Sequence, residues 1–387
     1  MEDRAETLGA DSDGCVVDVI ARQFVAGLGR TEDVAFSPAG RRLAVAAFAR
    51  NSIGVVDFDR CGHPPRWVSS QVREFHSPEL IRPHGLAFVD EDVLAVANRS
   101  GDVELFRLPD TGSSEAGSRI VRLDVTGGEL SKVSSPGSVV VNRLPDQTLE
   151  LIVCDNRRHQ VTAHRITLSA GSAQVVADDV LVKSGLDVPD GAAVDGSCLA
   201  VSNHFHHIVL IYDRLRLHGG DDGPQAILRG SHYPHGLFFT PGGRFLLVAD
   251  AGGAFVHLYE RPGATWSGAL FPKRSLRVTT DEAVASAPNR EEGGPKGIAI
   301  APDGQTFAVT GETVPFEIYD LEALVNGDIG TDFDSEMRFS YELAVLDSND
   351  RRARRLAAAT AAADKRLVRR VAHLRAWIRY QRRRRAM

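Results

Sequence analysis

Reactive side chains recur at one position of a repeat in this sequence. Each stands directly before an anchor residue, which is Asp33 in the first copy and glycine in the others, and successive anchors lie 45 to 61 residues apart. In order, the six positions hold Glu32, His84, Pro136, Asp190, His235 and Lys296. Carboxylate and imidazole groups ligate divalent metal ions, whereas a lysine opposes a metal ion and suits an anionic substrate. The pattern therefore indicates metal or substrate binding if the repeats bring these residues together.

The repeat is clearest in residues 231–262. A short apolar segment, Leu237 to Phe239, is followed by the turn Pro241-Gly242-Gly243, a second segment from Phe245 to Ala249 and a third from Phe255 to Tyr259. Short apolar segments separated by turn residues are typical of an antiparallel meander. Six such copies with weaker fourth segments predict an all-β fold, a six-bladed β-propeller.

In a propeller, the first strand of each blade lines the central channel, so the six positions should surround one mouth of it. The order of the blades places Glu32 opposite Asp190 and His84 opposite His235. A polar channel mouth without any ligand, or a face that docks a protein partner, is a competing interpretation, because fold does not assign chemistry.

The turns between the second and third strands return to the same mouth and supply a second set of candidates. We predict substrate-binding residues there: Asn98, Asn156, Asn203, His204, His206, Asp250 and Glu312. Asn98 and Asn203 have a simpler explanation, since asparagine stabilises turns through its own backbone. His204 and His206 form the more plausible pair for a ligand, although a solvated turn is again the simpler interpretation.

The Pro-x-Gly start, the apolar triplet and the strand ending in Asn or Asp resemble NHL and YVTN propeller repeats over residues 30–321. As a six-bladed ring the chain is also similar to the regucalcin/gluconolactonase family. That resemblance implies a central divalent metal, with Glu32 as a ligand and Asp190 as both ligand and general base. It further implies hydrolysis of a lactone or ester of a small polar metabolite.

Three residues depart from that family pattern. His84 and His235 replace the expected amides, which favours zinc over calcium, with manganese a further candidate. Lys296 departs as well, and we predict that it orients the substrate. The predicted metal ligands are thus Glu32, His84, Asp190 and His235, and the predicted catalytic residues are Asp190 and Lys296.

Other functional classes are not supported by the sequence. It lacks a nucleophile elbow, a Walker loop and a dinucleotide fingerprint in a suitable context, so we expect neither a nucleotide nor a flavin. Four scattered cysteines without metal-ligand spacing, together with the absence of a signal peptide or a spanning segment, favour a cytoplasmic protein.

The two ends of the chain differ from the repeats. We expect residues 1–14 to be disordered, residues 15–346 to form the propeller and residues 347–387 to form a basic helix. Residues 15–21 and 337–346 are the two candidates for the strand that closes the ring. The polar segment 281–294 should be a long loop, of the kind that is often functional or mobile.

Residues 351–387 contain 13 Arg, one Lys and one Asp, which leaves a net charge of −19 on residues 1–350. A basic amphipathic helix suits an anionic membrane surface or an acidic protein, and nucleic acid is the least favoured partner because the rest of the chain is acidic. Two functions remain: a metal-dependent hydrolase, which the channel residues favour, and a non-catalytic scaffold that docks a protein partner and is tethered by its basic helix.

Overall fold

A computed structural model of the chain describes residues 17–61, 66–110, 120–130, 133–169, 171–217, 220, 222–349, 351, 352 and 354. These residues divide into two compact units, one ending at Asp334 and one beginning at Ser335. The described part of the first unit forms six sheets arranged as a ring, antiparallel except for two short parallel pairings at outer edges, which confirms the predicted six-bladed propeller.

The inner strand of each blade lines the channel, and in five blades it begins with proline, which removes a backbone donor where the strand starts. The inner strands are β1 (Thr31–Phe36), β5 (Pro83–Phe88), β10 (Pro136–Arg143), β14 (Pro189–Asp195), β18 (Pro234–Phe239) and β23 (Pro295–Ile300). Each inner strand contacts the inner strand of the next blade, and β23 contacts β1. The described strands therefore close a full circle.

The middle strands of each blade are almost entirely buried between neighbouring blades. The second strands are β2 (Arg42–Ala47), β6 (Val93–Asn98), β11 (Leu149–Asp155), β15 (Cys198–Asn203), β19 (Phe245–Asp250) and β24 (Thr306–Gly311). The third strands are β3 (Ser52–Cys61), β7 (Val103–Arg107), β12 (Gln160–Leu168), β16 (Ile208–Asp213), β20 (Phe255–Glu260) and β25 (Glu317–Asp320). Their alanines, valines and leucines fill the space between blades and fix the ring as one core.

The outer edges of the blades are less regular. The described fourth strands are β4 (Arg66–His76), β8 (Val121–Arg122), β13 (Ser172–Val182), β17 (Ala226–Leu228) and β22 (Arg274–Arg277). Three further short strands extend blades three, four and five: β9 (Asp124–Thr126) on β13, β21 (Gly268–Leu270) on β17 and β26 (Thr331–Asp332) on β22. These additions cover edges that would otherwise present unpaired backbone groups.

The anchor glycines have a packing role. A Cβ atom added at Gly191 would overlap the carbonyl oxygen of His235 in the next blade, and one added at Gly236 would overlap that of Lys296. Gly85 and Gly297 likewise contact the backbone of the following blade. In the first copy Asp33 takes this place and accepts a hydrogen bond from the backbone N–H of Leu86, at 2.8 Å.

The ring is closed by a helix, and both predicted closing strands are wrong. Helix α1 (Val19–Gly27) begins at Asp18, whose Oδ1 accepts from the N–H of Ala21 at 2.9 Å. Its buried side chains pack against both blade one and blade six. Of residues 15–21, Val17 makes a single bridge to Trp67, while residues 15 and 16 lie outside the described residues. Residues 337–346 are helical.

The seam between blades six and one is held by direct contacts as well. Arg22 of α1 donates to Glu317 of β25 at 2.9 Å. Thr31 and Thr310 share a hydrogen bond at 2.6 Å, and Trp67 Nε1 donates to Thr306 at 3.2 Å. Since an apolar helix face can bury a sheet edge, α1 replaces the fourth strand that the sequence led us to expect.

The segment 281–294 contains a helix, α2 (Asp281–Ser286), capped by Thr280, and then a turn that leads into β23. Helix α3 (Leu321–Asn326) follows β25 and is capped by Asp320. In the second unit, helix α4 spans residues 335–349. Residues 1–14 and most of the basic residues of 351–387 lie outside the described residues.

Candidate functional site

The reactive residues occupy the second position of their inner strands, and all are buried. Glu32 and Lys296 are fully inaccessible to solvent, and the remaining three are at most 4% exposed: His84, Asp190 and His235. In blade three the register corrects our alignment, because the equivalent residue is Gly137 and not Pro136, as the pairing of Pro136 with Asp155 and of Pro189 with Asn203 shows. That position therefore contributes no side chain.

Three of these residues converge on one point. Glu32, His84 and His235 each offer a ligand atom, and these atoms lie within 4.8 Å of one another. Glu32 Oε2 is 3.6 Å from His84 Nε2 and 3.5 Å from His235 Nε2. The Nδ1 atom of His84 donates to the carbonyl oxygen of Gly137 at 2.6 Å, so in the neutral ring the lone pair of Nε2 faces Glu32.

The two imidazoles of this triad are held neutral. Burial lowers the pKa of His84, and it lowers the pKa of His235 to about 3. Neutral imidazole is the form that ligates metal ions. The triad therefore combines one carboxylate with two rings already in the binding form.

Two cations neutralise Glu32. Arg30 donates to its Oε1 atom, and Lys296 Nζ lies 3.2 Å from Oε1 and 3.0 Å from Oε2. Burial alone would raise the pKa of Glu32, but the charge of Lys296, together with that of Arg30, holds it below its ordinary value. Glu32 is thus a permanent anion in a dry environment.

Asp190 lies beside the triad but is held by a different set of residues. Its Oδ1 atom accepts from Arg99 at 2.9 Å and from Asn156 at 2.8 Å. Its Oδ2 atom is 3.2 Å from His235 Nε2. Burial opposes ionisation, but the charge of Arg99 holds the pKa of Asp190 well below its ordinary value.

Gly137 makes this arrangement possible. A Cβ atom at that position would overlap both Asn156 Oδ1 and Asp190 Oδ1. Because Gly137 has no side chain, Asn156 can reach Asp190 through the space that a side chain would fill.

The segment 281–294 contributes to the site through Glu292. Its Oε1 atom is 3.1 Å from His204 Nε2, and its Oε2 atom is 3.6 Å from Lys296 Nζ. Burial would lower the pKa of His204, but Glu292 raises it above its ordinary value, and His204 in turn lowers the pKa of Glu292. The expectation of a functional segment here is consistent with these contacts.

Two adjacent turn positions have different roles. The last residue of the second strand accepts from the N–H located two residues before the inner-strand proline. Asn98 accepts from Ile81, and the same bond recurs at Asp155, Asn203 and Asp250. These residues have a structural role, as the simpler interpretation of Asn98 and Asn203 held, but these bonds reach the segment before the inner strand and not their own turn backbone.

The next residue along the chain points to the channel mouth. Arg99, Asn156 and His204 all approach Asp190, and Glu312 is one of the carboxylates that raise the pKa of Arg30 against the opposing effect of burial. His206, in contrast, has a side chain that is 49% exposed and lies 3.8 Å from Asp187, so it does not pair with His204. Sequence reasoning missed Arg30, Arg99 and Glu292; only Arg99 had a signal, as the residue directly after a bracing asparagine.

The site forms the floor of a channel cavity of about 410 Å³. Asp33, His84, Asp190 and His235 line this cavity at one end, and it extends along the inner strands to residues such as Pro241. Burial raises the pKa of Asp33 to about 7 despite two backbone hydrogen bonds. Small-molecule sites are typically pockets of this size with a few convergent polar groups.

The triad fits a divalent metal ion. Glu32 Oε2 and His235 Nε2 are buried atoms without a hydrogen-bond partner; Lys296 lies close to Oε2, but its directed hydrogen bond is to Oε1. Ligand atoms of a tetrahedral zinc site are roughly 3.4 Å apart, given zinc–ligand bonds of about 2.1 Å. The two measured separations from Glu32 are close to that value. Lys296 and Arg30, the two cations that contact Glu32, oppose a metal ion.

Comparison with known proteins assigns no family to this chain: no protein-family model matches it, and no curated protein matches it. Among the described residues, we find no helix of the length and apolar character needed to cross a membrane.

Proposed function

We propose that the protein is a metal-dependent hydrolase of a lactone or carboxylic ester, with its reaction centre at the floor of the channel. The convergence of Glu32, His84 and His235, with two buried ligand atoms that have no hydrogen-bond partner, supports this proposal most directly. One carboxylate with two imidazoles is a ligand set that suits zinc or manganese better than calcium. The resemblance of the repeats to the regucalcin/gluconolactonase family supports the same reaction class.

We assign each residue of the site a separate role. Glu32, His84 and His235 hold the metal ion, which when bound polarises the substrate carbonyl and activates water. Asp190 lines the cavity and stays ionised, so its Oδ2 atom can accept a hydrogen bond from the attacking water and take its proton in the transition state. Arg99 and Asn156 fix that carboxylate through its other oxygen. Lys296 and Arg30 keep Glu32 anionic.

Metal analysis of the purified protein, followed by calorimetric titration of chelator-treated protein with zinc, manganese and calcium, tests this proposal. We expect one divalent ion per chain and activity against a panel of lactones and esters that is lost on chelation. The His84→Ala variant should lose both properties. Protein that stays folded but binds none of the three ions would overturn the proposal.

The scaffold function is favoured by a different observation. Helix α4 exposes three apolar side chains at helical spacing: Phe339 is 60% exposed, Leu343 50% and Leu346 65%. Together with the +13 charge of residues 351–387, this apolar stripe suits an anionic membrane surface or an acidic protein.

Co-sedimentation with anionic vesicles at low salt tests the membrane version of this second function. The full chain should pellet, and a chain ending at Asp334 should stay in solution. A chain ending at Asp350 keeps the stripe without the basic residues and separates the two contributions. Equal pelleting of all three chains would contradict tethering by this segment.

A further inference from the structure

The channel wall above the polar floor is apolar. Beyond the floor, the fourth and sixth residues of the inner strands that line the cavity are apolar, and most of them also pack in the hydrophobic clusters between blades: Val34, Phe36, Leu86, Phe88, Val139, Val141, Ala192, Val194, Leu237, Phe239, Ile298 and Ile300. Polar side chains return only near the strand ends, at Asp195 and Thr240. A small polar metabolite would gain little from such a wall, because apolar surface favours apolar ligand groups.

At one position of the channel wall, the residue in blade five is much larger than the equivalent residues in the other blades. The fifth residue of the inner strand is alanine in four blades and Val140 in blade three, but in blade five it is Phe238. Phe238 lines the cavity and is 39% exposed, which makes it the largest exposed side chain of the described channel lining. Leaving an aromatic ring open to water in this way gives up about 2 kcal/mol of burial free energy, which a bound apolar group would recover.

We propose that the channel binds the apolar chain of an amphiphilic ligand, with a carbonyl or carboxylate head at the floor and an alkyl or acyl chain lying against Phe238. The head assignment rests on the proposed function, whereas the chain site depends only on the wall. This makes the substrate an acyl ester or an alkyl-substituted lactone and replaces the expectation of a small polar metabolite.

The reaction that follows is a simple hydrolysis. The oxygen of water bonds to the acyl carbon, the acyl carbon–oxygen bond breaks, and the proton from water ends on the departing alkoxide. The products are a carboxylic acid and an alcohol, or a single hydroxy acid from a lactone. No oxidant or reductant is needed.

Calorimetric binding of linear ligands to the full chain tests the chain site. Zinc-loaded protein is titrated with hexanoic, octanoic and decanoic acids, and metal-free protein with the matching 1-alkanols, whose uncharged heads do not depend on the floor. Each methylene added should tighten binding about three- to fourfold in both series. Affinity that does not change with chain length would overturn the proposal.

Two variants locate the site. Phe238→Ala should weaken decanoate binding about tenfold and flatten the dependence on chain length, and Ala87→Phe should narrow the channel and abolish decanoate binding. Leu215→Ala is the matched control, since Leu215 is 76% exposed and lies outside the channel lining. Equal effects of Phe238→Ala and Leu215→Ala would contradict the proposal.

The same measurements separate this inference from the proposed function. Chain-length dependence in both ligand series without ester hydrolysis keeps the chain site and overturns the hydrolase. Hydrolysis of p-nitrophenyl acetate, hexanoate and decanoate with equal kcat/KM keeps the hydrolase and overturns the chain site.

Discussion

Two buried clusters of histidine and carboxylate groups among the described residues can be compared: the channel triad, which meets the cavity, and a cluster in blade five, which is not part of the cavity lining. In blade five, His257 Nδ1 hydrogen-bonds Ser275 Oγ at 2.8 Å, and its Nε2 atom is 3.3 Å from Asp250 Oδ2. These are the residue types of a nucleophilic triad, yet they lie within one sheet, and Phe255 stacks on the imidazole. We refer to them as the blade-five relay.

The channel triad differs in what its polar atoms contact. Every ring nitrogen of the relay histidine has a hydrogen-bond partner, whereas Glu32 Oε2 and His235 Nε2 have none although both are buried. Their close contacts are ion-pair distances to Lys296 and Asp190. An unpaired buried polar atom costs free energy unless a ligand satisfies it. Histidine and aspartate in a propeller core are therefore not evidence of function on their own; unpaired atoms that converge at a cavity are.

The largest expected effect is on metal binding. His235→Ala should weaken zinc affinity more than 100-fold, since even residues that only support metal ligands contribute about 10- to 100-fold. His257→Ala in the relay should leave it unchanged. Competition titration with a chelator measures both, and a similar loss in the two variants would remove the distinction between the clusters.

For the free energy of unfolding, we expect the larger effect from His257→Ala and the smaller one from His235→Ala. His257→Ala leaves Asp250 and Ser275 buried without their partner, so the free energy of unfolding should fall by about 2–4 kcal/mol. His235→Ala removes a ring whose partners are already incomplete and should cost metal-free protein less. Urea unfolding of both variants checks this, and a greater loss in His235→Ala would contradict it.

Removing one opposing cation should strengthen the metal site. Lys296 Nζ is 3.0 Å from Glu32 Oε2, so Lys296→Met should raise zinc affinity about tenfold, with Lys296→Arg as the control that keeps the charge. The metal-free Lys296→Met protein should be less stable, because Glu32 loses one of its two cations. Weaker zinc binding in Lys296→Met would instead assign Lys296 a supporting role.

The smallest effect concerns the pair of His204 and Glu292. Because folding raises the pKa of His204, this residue contributes fully to the free energy of unfolding below pH 6.5. That contribution is lost as pH rises through the raised pKa. The lowered pKa of Glu292 makes its contribution present above 4.5 and lost at lower pH. Glu292→Gln should thus reduce the unfolding free energy by about 1 kcal/mol at pH 5.5 and by less at pH 8.5. A larger loss at pH 8.5 in urea unfolding would contradict this sign.

The fold followed from the repeat because each copy carries the same turn residues and apolar segments, and Glu32, His84 and His235 meet because equivalent positions of a ring face one axis. The features that the sequence did not predict correctly are those that do not follow the repeat. The Pro-Gly copy in blade three hid a one-residue shift of register, and α1 and α4 were read as strands because short apolar segments suit either structure. Glu292 contacts His204, 88 residues away, which no local pattern records. Arg30 lies only two residues before Glu32, at a position that the repeat does not mark.

The seam between blades six and one makes the channel site depend on residues that are far apart in the chain. Glu32 is synthesised early and Lys296 late, 264 positions further along the chain. Arg22 and Glu317 are separated by 295 positions. Contacts this distant along the chain have a high loop-closure cost and form late in folding. A nascent chain would therefore carry five folded blades and an incomplete triad environment until the sixth blade leaves the ribosome. Because Glu32, His84 and His235 belong to blades one, two and five, the last part of the site to be synthesised is Lys296, a cation that opposes a metal ion.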